Sequence, residues 1–318
     1  MIVYFSDYTL ADTLDLEEKV LSAAGLKIVR AAAATEQEVL DTIGGVDPVA
    51  IVAQWAPITP AVIDLCPNLK VVSRNGIGVD NIDLAYCKQR GIAVLNSPKY
   101  CTPEVADHTM SLALALLRKL VLTTDRIRAG DWSTDYLNPI HRLCELTMGI
   151  VGMGGIGRAV VQRARPFFKQ VIGYDPFLTN VEVDGKPVEL VSLDELLQRS
   201  DVVDLHVPGT AETKHLMNAE RFAMMKPSAY LVNTCRGMVI DTNALVDALA
   251  HGRLAGAGLD VHEQEPLPMD HPLRSFEQVI ITPHAAYYSE EAVEQIREDT
   301  VVNIVKYLAG EPPINRVV

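Results

Sequence analysis

The stretch Gly149-Ile150-Val151-Gly152-Met153-Gly154-Gly155-Ile156-Gly157-Arg158 decides the fold. A short apolar run leads into Gly152-x-Gly154-x-x-Gly157, and Arg158 is the first charged residue of the helix that follows. A strand, a glycine turn and a helix in this order suit a dinucleotide. The first glycine permits the tight turn, the second lets the backbone approach a pyrophosphate, and the third lets the helix pack closely on the strand. The pyrophosphate would then face free N–H groups at the helix N-terminus. Asp175 stands at the end of the next strand, eighteen residues after Gly157. A carboxylate there accepts hydrogen bonds from both ribose hydroxyls of NAD and repels the 2′-phosphate of NADP. Pro176 and Phe177 bring no cation to hold such a phosphate, although an Asp before Pro is also an ordinary turn former.

Outward from this turn the same rhythm continues. Strands are expected near 148–151, 170–174, 202–206, 229–233, 256–260 and 278–281, the six of a full dinucleotide fold. Upstream, strands at 2–5, 27–30, 49–53, 70–73 and 92–95 alternate with helices near 14–24, 35–43, 59–65 and 81–89. Alternation of this kind predicts a second parallel sheet covered by helices. A single long helix is expected from about Pro103 to Arg128, as a connection between domains that presents an oligomer face. A last helix, about 288–309, carries Ala292, Ile296, Val301, Ile304 and Leu308 at helical spacing and is expected to return to the first domain. The fold class is therefore α/β, with two Rossmann-like domains and the active site in the cleft between them. A substrate domain over 1–100 is completed by 287–318, and an NAD-binding domain covers 101–286.

Composition narrows the classes. The 318 residues suit roughly two domains, and 48% hydrophobic residues allow a large core. The net charge of -13 argues against nucleic acid, because phosphate binding needs a basic face. A small anion remains possible, since a local cationic pocket overrides the global field. The longest apolar run, Met110 to Leu122, is interrupted by Arg118 and Lys119, so no membrane span is expected. The N-terminus reads as a strand and not as a signal peptide. Five widely spaced cysteines without a CxxC pair fit reduced thiols in a cytoplasm and offer no metal site.

Arg236, Glu265 and His284 set the chemistry. A guanidinium grips a carboxylate, and an imidazole with a carboxylate partner moves a proton. With a dinucleotide, the set reads as hydride transfer at C2 of a 2-hydroxy or 2-keto acid. Taken singly, each residue reads as an ordinary surface or structural side chain. His108, His141, His206, His215, His251, His262 and His271 are assigned no chemistry. Cys235 beside Arg236 lacks an activating histidine nearby in sequence, so no nucleophile is expected there.

Five segments together carry a resemblance. They are Asn75-Gly76-Ile77-Gly78-Val79-Asp80-Asn81-Ile82-Asp83, Leu205-His206-Val207-Pro208, Asn233-Thr234-Cys235-Arg236-Gly237 with Val239-Ile240-Asp241, Gly258-Leu259-Asp260 through Glu263 to Glu265-Pro266, and Thr282-Pro283-His284 with Glu290-Glu291-Ala292. In this order they resemble the D-isomer-specific 2-hydroxyacid dehydrogenases over nearly the whole chain. Tyr100 to His108 looks closest to the phosphoglycerate-dehydrogenase-like and C-terminal-binding-protein-like branches. The resemblance implies that Arg236 holds the substrate carboxylate and its 2-oxygen, and that His284 is the proton donor in reduction. It implies that Glu265 orients His284 and raises its pKa. Cofactor contacts are implied for Gly152, Gly154, Ile156, Gly157 and Asp175. They are implied likewise for His206, Val207 and Pro208, and for Thr234, Cys235, Arg236 and His284, with Asp260 on the nicotinamide carboxamide. Arg74, Asn75, Gly76, Ile77 and Gly78 would bind substrate, Ile77 and Gly78 through backbone N–H groups. Arg74 sits where phosphoglycerate dehydrogenases of this family have an arginine near the phosphate.

Two departures stand out: Gly209, where the family more often has an apolar residue, and Asp107 in place of Glu. Neither is expected to touch the chemistry. The expected enzyme is a cytoplasmic homodimer that uses NAD and a small anionic 2-keto or 2-hydroxy acid, 3-phosphoglycerate, glyoxylate or hydroxypyruvate, without metal, membrane or nucleic acid. The rival reading is an NAD-responsive, corepressor-like dimeric binding protein with weak dehydrogenase activity.

Overall fold

A computed structural model describes residues 1–10 and 13–318, which divide into two units, Met1–Tyr100 with Ser289–Val318, and Cys101–Tyr288. In the first unit β1 (Ile2–Phe5), β2 (Lys27–Arg30), β3 (Ala50–Ala53), β4 (Val71–Arg74) and β5 (Ala93–Leu95) form one parallel sheet in the order β2-β1-β3-β4-β5. The intervening helices are α1 (Asp15–Ala23), α2 (Glu36–Ile43), α3 (Pro60–Asp64) and α4 (Leu84–Arg90). Successive strand side chains alternate between two cores: Val3 and Phe5 pack with Leu21 and Ile304, while Tyr4 packs with Val39 and Ile43. Both faces are covered, so the strands read as continuous apolar runs.

The second unit begins with a difference from expectation. The single helix expected over 103–128 is two, α5 (Thr102–Leu117) and α6 (Leu120–Arg128), with Lys119 between them in the left-handed region at φ 49°. Lys119 Nζ donates to the Tyr136 carbonyl at 3.0 Å. The role differs too. Ala106, Met110, Ala113 and Leu117 of α5 are buried with Met148, Ile150 and Val160, so α5 is a core helix of this unit and not a connector.

The second sheet contains β6 (Thr147–Val151), β7 (Gln170–Tyr174), β10 (Glu189–Leu190), β11 (Val202–Leu205), β12 (Tyr230–Asn233), β13 (Gly256–Leu259) and β14 (Val279–Ile281). Its order is β10-β7-β6-β11-β12-β13-β14, with every pair parallel. The two-residue β10 escaped the sequence reading, as did the small hairpin of β8 (Glu182–Val183) and β9 (Lys186–Pro187). Strands this short carry no periodicity to detect. The remaining helices are α7 (Gly155–Ala164), α8 (Leu193–Arg199), α9 (Ala219–Met224) and α10 (Thr242–Ala250). Strand order reverses between β6 and β11, the switch point at which ligands bind in open α/β sheets.

The last helix, α11 (Glu290–Leu308), belongs to the first unit and is started by Ser289, whose side chain accepts from Ala292 N–H. Its anchor is electrostatic as well as apolar. Arg297 donates two hydrogen bonds of 2.8 Å to the carboxylate of Glu17 on α1, whose side chain is 1% exposed. The Tyr8 hydroxyl also hydrogen-bonds Glu17. Burial alone would raise the Glu17 carboxyl, but the bonds from Arg297 and Tyr8 hold it below the usual carboxylate range. Removing the cation strands a buried charge. Arg297→Met is therefore expected to destabilise the first unit by about 3 kcal/mol, the low end for a broken buried pair because Arg297 is partly exposed. Urea denaturation monitored by circular dichroism checks this; an unchanged midpoint would show that α11 is held by its apolar face alone.

Candidate active site

The glycine turn follows β6. Gly152 has φ 97°, and a Cβ built there would stand 2.3 Å from the His206 carbonyl oxygen. A Cβ on Gly157 would stand 2.1 Å from the Gly152 carbonyl oxygen, so the start of α7 packs directly on the turn. Gly154 and Gly155 meet nothing within 4 Å. This leaves open space before the N–H groups of the first helical turn, and the residues present fit a pyrophosphate. Asp175 closes the turn from β7: Oδ2 accepts from Met153 N–H and Oδ1 from Phe177 N–H, each at 3.0 Å. Each carboxylate oxygen keeps a lone pair for a ribose hydroxyl. His206, on the loop after β11, lines this turn through its backbone. Its ring is 2% exposed and lies 2.6 Å from the buried carboxylate of Asp204.

Arg236, Glu265 and His284 follow the carboxyl ends of three adjacent strands, β12, β13 and β14. Parallel strands thus deliver to one edge residues that the sequence scatters over about fifty positions. Asn233, fully buried, shapes the Arg236 turn: its Oδ1 accepts from Cys235 N–H at 3.1 Å and its Nδ2 donates to the Arg236 carbonyl at 3.0 Å. Gly237 then touches the loop after β13, since a Cβ there would fall 1.9 Å from the His262 carbonyl carbon. This contact brings the arginine turn against the loop that carries Glu265.

His284 Nδ1 lies 2.7 Å from Glu265 Oε2, and Glu265 Oε1 accepts from His262 N–H at 2.8 Å. Burial would raise the Glu265 carboxyl, but the hydrogen bond with His284, the charge of that ring and the His262 N–H hold it below the usual range. His284 has φ 54°, a left-handed conformation that costs a residue with a Cβ about 1–2 kcal/mol. Asp260, 1% exposed, holds the turn in that shape. Its backbone carbonyl accepts from His284 N–H at 2.8 Å, and its carboxylate accepts from Ala285 and Ala286 N–H, each at 2.9 Å.

One sequence expectation needs correction. Gly209 does touch the proposed chemistry: a Cβ there would stand 3.0 Å from Arg236 Cγ, so the absence of a side chain leaves room for the arginine. Asp107, in contrast, pairs with Arg163 of α7 at 2.5 Å, away from the trio. Arg74, Asn75, Gly76, Ile77 and Gly78 lie in the first unit at the end of β4. There the Arg74 guanidinium is folded back on its own loop, donating to the Asn75 carbonyl and lying 5.4 Å from the Trp55 ring centre. Gly76 leaves the space for it. Burial pushes the Cys235 thiol up to about 11. Glu263, two residues before Glu265, has a structural part that its local sequence does not announce. Its carboxylate accepts from Thr242 N–H and lies 2.7 Å from His215 Nε2, stitching the loop of Glu265 to the start of α10.

A glycine turn at a sheet's switch point and, along the same edge, a cation with an imidazole–carboxylate pair define a dinucleotide-dependent oxidoreductase. Residues 110–286 match the model of the D-isomer specific 2-hydroxyacid dehydrogenase NAD binding domain. A glyoxylate reductase of Thermofilum pendens is 43% identical over 261 residues, 80% of this chain and 77% of the relative. A D-3-phosphoglycerate dehydrogenase of Methanocaldococcus jannaschii is 39% identical over 92% of this chain, which spans only 55% of that protein's length. The crystal structure of D-lactate dehydrogenase from Aquifex aeolicus, complexed with NAD and lactic acid, superposes with TM-score 0.86 at 33% identity, covering 98% of this chain and 96% of that one. The chain belongs to the D-isomer-specific 2-hydroxyacid dehydrogenases. It is an NAD-dependent oxidoreductase acting on the CH–OH group of 2-hydroxy acids, and the binding-protein alternative is not favoured.

Two outcomes follow from this geometry. His284→Ala removes the hydrogen bond and the charge that lower the Glu265 carboxyl and leaves burial, which raises it. The Glu265 titration observed by carbon NMR should therefore move to higher pH; an unmoved titration would mean the two groups are uncoupled. Asp175→Ala should weaken NAD binding and narrow the preference for NAD over NADP, because the carboxylate beside the turn is lost. An unchanged ratio of kcat/KM for the two cofactors would remove Asp175 from ribose recognition.

Proposed function

We propose that this enzyme reduces a short 2-keto acid of the glyoxylate or hydroxypyruvate type, with Arg236, Glu265 and His284 as the reacting set. The observation that carries the reading is the 2.7 Å pair between His284 Nδ1 and Glu265 Oε2 on the same sheet edge as Arg236 and the glycine turn. With Nδ1 engaged by the carboxylate, the ring presents Nε2–H to the keto oxygen and gives up that proton as the alkoxide develops. In the oxidative direction the same nitrogen takes the proton back. The fork of Arg236 matches a planar carboxylate and steadies the negative charge growing on the 2-oxygen. Bound NAD supplies or accepts the hydride.

A substrate without a distal phosphate is supported by Arg74, which is 6% exposed and turned onto its own loop. The relatives named for glyoxylate and for phosphoglycerate leave both substrates to be compared directly. The enzyme is further proposed to be a homodimer, because Leu120, Val121, Ile127 and the 85%-exposed Trp132 form apolar surface on and just after α6 that a second copy would cover. The free thiols of Cys66, Cys87, Cys101, Cys144 and Cys235 suit a reducing compartment, the cytoplasm.

A panel of glyoxylate, hydroxypyruvate, pyruvate and 3-phosphohydroxypyruvate with NADH tests the substrate. The first two should give the highest kcat/KM, and Arg74→Ala should change glyoxylate and phosphohydroxypyruvate alike. A selective loss of the phosphorylated substrate, roughly ten- to a hundredfold for a charge-assisted bond, would move the assignment to a phosphorylated acid. His284→Ala should lower reduction by about 10²–10⁴ with NADH binding nearly unchanged, the cost of a lost general acid.

A further inference from the structure

We propose that His108 is a positioning residue for the acid–base centre, completing a hydrogen-bond chain that holds the His284 turn. The inference rests on the assignment of His284 as the proton donor. His108 lies on α5, far from the trio in sequence, and its Nε2 is 3.0 Å from Thr282 Oγ1. Thr282 Oγ1 is in turn 2.6 Å from Asp260 Oδ1. Proton count fixes the direction of the chain. The Asp260 carboxylate only accepts, so the one Thr282 hydroxyl proton goes to it, and His108 must donate its Nε2–H to the hydroxyl.

The end of the chain is Asp260. Its carboxylate also takes the N–H groups of Ala285 and Ala286, and its carbonyl takes that of His284. The backbone donors of His284 and of the two residues after it therefore converge on one buried residue, which keeps His284 in the left-handed region at φ 54° and its Nδ1 on Glu265. The carboxylate can hold the two N–H groups in register only if it does not rotate. The Thr282 hydroxyl blocks that rotation, and His108 prevents the hydroxyl from turning away. His108 touches neither Glu265 nor the ring of His284 through any of these bonds; it acts through Thr282 and Asp260.

The test uses the full enzyme with His108→Leu, His108→Gln, Thr282→Val, the His108→Leu/Thr282→Val double variant and His284→Ala. His108→Leu should lower kcat for glyoxylate roughly three- to tenfold, the worth of one neutral hydrogen bond, and Thr282→Val by at least as much, because it also removes the bond to the Asp260 carboxylate. The NADH dissociation constant should stay within about twofold and Tm should fall by no more than a few degrees. His108→Gln, which keeps a donor, should recover most of the rate. In the double variant the losses should not add, because both break one chain. Hydrogen exchange at the Ala285 and Ala286 amides should quicken in both single variants. Wild-type kcat and exchange in either single variant, or additive losses in the double variant, would overturn the proposal. Should His108→Leu fold poorly, Thr282→Val against Thr282→Ser decides the same question, since only serine keeps the hydroxyl. Full turnover by His284→Ala would instead overturn the underlying assignment of His284, an outcome separate from failure of the chain.

Discussion

A carboxylate buried at the end of a strand must find donors or lose its charge. Asp260 finds them in the turn that carries His284, and this requirement shapes the second unit's working edge. The turn wraps around the carboxylate, His284 is forced into a left-handed conformation, and its ring is delivered to Glu265. The backbone strain is local and modest, and several bonds converging on one residue offset it.

The same edge obeys a second constraint, the close approach of bare backbone. Gly152 lies on the His206 carbonyl, Gly157 on the Gly152 carbonyl, and Gly237 on the backbone of His262. Each contact leaves no room for a Cβ, so loops from different strands stack as backbone on backbone. The glycine turn and the loops of Arg236 and Glu265 are thereby fixed to the sheet, and an edge assembled from separate loops behaves as one preorganised surface. His108 extends this logic, because α5 is buried against the sheet and can brace the site from beneath.

The parallel sheets were legible because each strand is a run of apolar residues bounded by turn formers, a pattern that survives without knowledge of neighbours. The glycine turn was legible because its three glycines answer to backbone geometry within a few residues. The break at Lys119 was not, since the apolar spacing runs on through it and the left-handed residue is secured by a bond to Tyr136 far along the chain. The bracing by His108 was equally hidden: nothing in the sequence around it announces Thr282.

The sequence by itself determined two α/β units, a dinucleotide turn with an acid after the next strand, and the candidate cation, acid and imidazole, because each is written in a short local signature. Tertiary structure alone decided how they are placed. It paired His284 with Glu265, set Gly209 beneath Arg236, folded Arg74 onto its own loop, and gave Asp260 the turn to hold. The physical reason is range. Propensity and turn geometry act over a few residues, whereas these contacts join loops that meet only once parallel strands have aligned their carboxyl ends.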